Sequence, residues 1–161
     1  MPDGADERLS LPIEQGVLLW CIRLSVMEMR RPTGAGPKVA DMLDRFGVPG
    51  AEAYLQGFLF ALSRGSARMI DVRCTCATQL SADERTLLEV LGLAQDMRPF
   101  EALLALRGMV TPAGARAALR CAEGLGAVLA QAGRMLPAPD EELRHYAVAA
   151  PGGCVAGATL H

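Results

Sequence analysis

Apolar and polar positions alternate with a helical period over most of this chain. From Ile13 to Arg30 the positions Ile13, Val17, Trp20, Leu24 and Met27 recur at spacings of three and four, and Leu18, Leu19, Cys21, Ile22 and Val26 widen the stripe to most of the circumference. Such a helix is predicted to be central or to lie at an oligomer interface. Pro12 sits near its first turn, where a missing amide costs nothing. Arg30, Arg31 and Pro32 end it, and 33–36 is a loop of turn formers.

A short amphipathic helix is predicted from Lys38 to Phe46, closed by Gly47, with Val39, Met42, Leu43 and Phe46 on one side. Pro49 opens a third helix reaching about Ser63, whose two adjacent stripes (Tyr54, Phe58, Ala61 and Leu55, Leu59, Leu62) are expected to be core. Ser81 followed three residues later by Glu84 is a capping box, and Leu87, Leu88, Val90, Leu91 and Ala94 continue it as a helix from Ala82 to Gln95. Arg98-Pro99 marks a boundary before a short helix ending at Gly108. Thr111 with Pro112 then starts a helix to about Ala132, rich in Ala and Gly, along which a second helix could approach closely.

One stretch breaks the helical period. From Met69 to Ala77, Ile70, Val72, Cys74 and Cys76 alternate with Asp71, Arg73 and Thr75, the period of an extended, half-buried segment. The pattern therefore predicts an all-α protein, an irregular bundle of five or six helices with one short extended segment near 69–77. Residues 1–10 read as a flexible polar leader, 11–135 as one helical domain, and 136–161 as a largely irregular tail rich in Pro and Gly.

Composition agrees with helices. Apolar residues make up 51% of 161 positions and aromatics only 4%, so the core is built from Leu, Ala, Val and Met. The mean hydropathy of +0.22 leaves apolar surface over after one core is filled, which points to a homodimer through the first helix or the alanine-rich last one. Net charge is −2, which argues against nucleic acid and an anionic membrane as partners of the whole molecule. The longest apolar run, 16–22, is too short to span a bilayer. Arginine outnumbers lysine fifteen to one, the coding bias of a GC-rich bacterium.

The chemistry on offer is sparse. Five cysteines stand at 21, 74, 76, 121 and 154 without a disulfide-scaffold spacing, and the acidic, polar N-terminus has no signal-peptide pattern; both favour a reducing cytoplasm. Only His145 and His161 could serve as bases, neither in a nucleophile motif, and there is no phosphate-binding loop and no HExxH, so no enzyme is expected. Cys74 and Cys76 read first as small apolar residues on a buried face. Their i, i+2 spacing would also let both sulfurs turn to one zinc or other thiophilic metal, with further ligands from the tail or a second subunit, or toward each other.

The segment 103–125 can be drawn as a helix-turn-helix, with Thr111, Arg116 and Arg120 presented by the second helix. From Arg98 to Arg134 five arginines stand against Glu101 and Glu123, a local net of +3. The alanine content of that helix suits burial better than groove reading. Arg23 with Glu28, and Asp41 with Arg45, read as ordinary surface charge. These features together predict a small cytoplasmic helical protein that acts by binding an unidentified protein partner or itself, in a regulatory or accessory role. A metal- or thiol-dependent sensor at Cys74 and Cys76 is the first alternative and a DNA-binding regulator the second.

Overall fold

The computed structural model describes residues 6–34, 36–137 and 139. Six α-helices account for the fold, and the described residues contain isolated β-bridges but no strand or sheet. They are α1 (Ile13–Arg30), α2 (Gly36–Arg45), α3 (Ala51–Gly65), α4 (Ala82–Gln95), α5 (Pro99–Ala105) and α6 (Pro112–Gln131). This is the irregular helical bundle that the periodicity predicts. A 3-10 turn at Glu7–Ser10 precedes α1, within the expected leader, and Asp6 caps it by accepting from the Arg8 amide.

The helix ends follow the local chemistry. Ser81 accepts from the Glu84 amide at 3.0 Å while the Glu84 carboxylate accepts from the Ser81 amide at 2.9 Å, so both halves of the capping box form. Thr111 Oγ1 accepts from Gly114 N and Pro112 fills the first turn of α6. Gly47 and Gly133 take φ of +85° and +73° just past α2 and α6, the left-handed conformation that ends a helix and that glycine adopts at least cost. Two starts differ by a residue or two: α2 begins at Gly36 rather than Lys38, and Gly50 rather than Pro49 immediately precedes α3, because Val48 to Ala51 closes a turn first.

The most extensive helix contact is between α3 and α6, and it depends on small residues. A Cβ placed on Gly65 would lie 2.6 Å from the Cα of Gly114, so the two backbones touch where the helices meet. The Thr111 amide donates to Gly65 O at 2.7 Å and the Ala67 amide to Met109 O at 2.9 Å, which closes that junction. Farther along, Gly124 receives the Tyr54 ring and Gly126 receives the backbone of Gln95 at the end of α4. The alanine- and glycine-rich face of α6 is therefore occupied by α3 and α4 of the same chain, and it is not the open dimer face that the sequence suggests.

The centre of α1 is likewise covered within the chain: Leu18, Leu19, Cys21, Ile22 and Leu24 are buried in one core with Phe58, Leu59 and Leu62 of α3 and Leu87 and Leu91 of α4. Tyr54, expected in that core, remains 42% exposed, and Phe60 of the same helix is 61% exposed. After α6 the chain turns back, and Gln95 Oε1 accepts from the Leu136 amide at 2.6 Å while Arg134 lies 4.1 Å over the Phe46 ring.

Candidate functional site

Between α3 and α4 runs a connection of 16 residues, 66–81, without regular secondary structure. A connection this long needs partners for its backbone. Two acidic residues in the first turn of α4 and one arginine of α1 supply them.

Arg23 is the first. It lies midway along α1 with 1% of its side chain exposed, beside Ile22 and Leu24, so its charge has no water to meet. Arg23 Nε donates to Glu84 Oε1 at 2.7 Å and Nη2 to Glu84 Oε2 at 2.9 Å, a two-pronged pair in which Glu84 is also fully buried. The outer prongs donate to the carbonyls of Ala77 at 2.7 Å and Gln79 at 2.9 Å. The sequence reading of Arg23 as surface charge is corrected: a helix apolar on nearly every side cannot place a mid-helix guanidinium in water, so the cation must be paired inside.

Glu84 collects the other side of this knot. Besides Arg23 and the Ser81 amide, it accepts from the Arg73 amide at 3.0 Å. Burial pushes its carboxyl up, but the hydrogen bonds from Arg23, Ser81 and Arg73, with the charge of Arg23, outweigh burial and hold it below the ordinary range. Its neighbour Asp83 does the same for the start of the connection, pairing with Arg68 at 2.7 Å and accepting from the Asp71 amide at 2.7 Å. The Arg68 hydrogen bond lowers the Asp83 carboxyl against a smaller opposing effect of burial. Ser81 Oγ completes the closure by donating to Asp71 O at 2.5 Å.

The expected extended segment at 69–77 is realised only in its first half. Val72 is buried and Ile70 half-buried with Asp71 outside, as alternation requires. Beyond Val72 the order inverts: Cys74 and Cys76 are exposed while Arg73, Thr75 and Ala77 are half-buried. The reason is that this part faces guanidinium groups rather than apolar side chains. Arg8 Nη1 donates to Thr75 O at 3.0 Å, Arg23 takes the next carbonyls, and Ala77 N returns to Cys74 O at 3.1 Å in a turn.

Cys74 and Cys76 are thus not core residues. A disulfide joins them, with Cα atoms 5.4 Å apart. Among the described residues no group of three or more His, Cys, Asp or Glu side chains converges as metal ligands would. Cys21 and Cys121 are free thiols. Burial, with a smaller contribution from the charge of Glu52, pushes the Cys21 thiol up to about 12, so it is a poor nucleophile at neutral pH. Cys154, His145 and His161 lie outside the described residues, as does nearly all of the expected tail.

The residues of the helix-turn-helix reading are also placed. Thr111 spends its hydroxyl on the cap of α6, and its amide is bonded to the end of α3. Arg116 and Arg120 are exposed one turn apart on α6, with Pro112, Ala113 and Ala117 the other exposed side chains of its first nine residues. The turn between α5 and α6 frames a largely apolar hollow of about 440 Å³ lined by Phe100, Leu103, Leu104 and Val110 with Arg107 and Arg116. Of its lining residues Phe100 and Leu104 are 77% and 50% exposed.

Sequence reasoning missed Arg23, Arg8 and the Asp83–Arg68 pair. The isolated arginine within an apolar helix was the available signal for the first; the others depend on which loop backbone the fold delivers. Among the described residues no helix is long and apolar enough to cross a membrane. No protein-family model, curated protein or solved structure matches the chain.

Proposed function

We propose that this chain is a binding protein of the bacterial cytoplasm, without catalytic activity of its own, that works in a regulatory or accessory role by pairing with a second copy of itself through the α5–α6 face. The observation that carries the reading is the exposure of Phe100 and Leu104 where they line one apolar hollow, on a helix of only seven residues. Large apolar side chains gathered in this way on a small domain mark an interaction surface. The centre of α1 and the small-residue face of α6 are covered within the chain, whereas α5 keeps Phe100 and Leu104 open to a partner beside the hollow.

Sedimentation velocity over a wide concentration range tests this. Wild-type protein is expected to dimerise, and Phe100→Ala to weaken the dimer with its helical circular dichroism unchanged. Removing a buried aromatic from each protomer costs about 2 kcal/mol per copy, so about 4 kcal/mol per dimer and roughly a thousandfold in Kd. A monomer at every concentration, or a dimer indifferent to both Phe100→Ala and Leu104→Glu, rejects the proposal.

A further inference from the structure

The segment 73–79 is held by polar contacts from outside itself, and a disulfide sits in its middle. Cys74 and Cys76 flank Thr75, whose carbonyl accepts from Arg8, and Arg8 belongs to the 3-10 turn at 7–10. That turn has a second tie, from Glu7 to Arg85 at 2.8 Å and to the Leu80 amide at 2.9 Å. Both cysteines are exposed. Cys74 lines a hollow of about 180 Å³ together with Arg30, Arg31 and Arg73.

A bridge that encloses one residue is the least effective kind of staple, because the chain entropy removed from the unfolded state falls as the closed loop shortens. What this position does provide is access for a small thiol and a cationic wall that stabilises a thiolate. Disulfides that persist for structure belong to oxidising compartments, whereas those of a reducing one are transient and redox-sensing.

We infer that Cys74 and Cys76 form a reversible thiol–disulfide site that exchanges with a low-molecular-weight monothiol and its disulfide, and that its state sets how firmly the 7–10 turn is held. In the reductive direction a monothiol thiolate attacks Cys76 Sγ. The Sγ–Sγ bond breaks, a mixed disulfide forms on Cys76, and Cys74 leaves as the thiolate stabilised by the arginine-lined hollow. A second monothiol thiolate attacks the mixed disulfide, releasing the oxidised two-molecule disulfide and the Cys76 thiolate. Two electrons pass from two monothiols to the protein, and each thiolate is protonated from water according to pH. Opening removes the ring that fixes Thr75 and so loosens its carbonyl from Arg8. Oxidised monothiol drives the same steps in reverse. The transience of the bridge rests on the cytoplasmic location proposed above, while the site itself is independent of the α5–α6 interface.

The test uses native full-length protein and glutathione as the probe. Samples are equilibrated over graded ratios of reduced to oxidised glutathione, acid-quenched, alkylated and mapped by peptide mass spectrometry, with amide hydrogen exchange followed in parallel. The expected result is passage of Cys74 and Cys76 from bridged to doubly alkylated and back, with Cys21 unlabelled throughout. Exchange at 7–10 is expected to rise several-fold on opening, and this difference is expected to vanish in Arg8→Ala, in which the cysteines are untouched. A bridge that opens only in denaturant, a pair that stays dithiol in excess oxidised glutathione, or exchange at 7–10 that ignores the state of the pair would each overturn the inference.

Discussion

Replacing Arg23 by methionine isolates what the buried guanidinium contributes. Methionine fills most of the space of the side-chain stem but removes both hydrogen bonds to Glu84 and those to the Ala77 and Gln79 carbonyls. Glu84 keeps the Ser81 and Arg73 amides and loses the cation it pairs with among the described residues. Breaking a buried pair from one side costs about 3–5 kcal/mol, because the other charge is left uncompensated. The two carbonyls add about 1 kcal/mol each if they stay dry, but both belong to a loop that can turn toward water. The expected loss is about 4 kcal/mol, a large part of the roughly 8–15 kcal/mol ordinary for a chain of this size.

Urea unfolding at pH 7 reads this as a fall in midpoint of about 2 M at unchanged slope. Adding Glu84→Gln, which removes the stranded charge while keeping an acceptor for the Ser81 amide, is expected to restore about half of the loss. Acidity gives a separate readout. The Glu84 carboxyl is held below its ordinary 4.5, so its stabilising contribution is complete above that pH and disappears as pH falls through the lower folded value. Without Arg23 only the Ser81 and Arg73 amides oppose burial, so the carboxyl is held down less and its protonation costs the variant less stability than it costs wild type. The gap between wild type and Arg23→Met should therefore narrow as pH falls from 7 toward 4. A midpoint shift below about 0.5 M, or a double variant no more stable than Arg23→Met alone, would refute the picture of an uncompensated buried carboxylate.

Gly114→Ala should destabilise by about 1–3 kcal/mol in thermal unfolding even though alanine is the better helix former by about 1 kcal/mol, because its Cβ meets the Gly65 backbone rather than a side chain able to move. Ser81→Ala removes the α4 cap and the bond to Asp71 O, and about 1–2 kcal/mol should be lost in urea titration. Leu125→Ala, fully buried in α6, is expected to cost about 2–5 kcal/mol by the same assay. Asp83→Asn weakens the pair with Arg68, and hydrogen exchange at 68–72 should rise while the α3–α6 junction stays protected.

Periodicity and capping chemistry determined most of what this chain shows at the level of elements. The capping box at Ser81 and Glu84, the Thr111-Pro112 start and the glycine stops at 47 and 133 fixed helix ends to within a residue or two, because each acts between neighbours in sequence. The wealth of small residues in α6 announced a close helix approach, but only the tertiary structure decided that the visitor is α3 of the same chain. The same limit explains the site. Alternation at 69–77 was legible as far as Val72, where the neighbours are apolar, and failed from Cys74 onward, where they are Arg8 and Arg23, delivered from 67 and 54 residues away. Local pattern records which residues avoid water. It does not record which buried charge will meet which carbonyl, since that depends on how helices distant in sequence are set against one another.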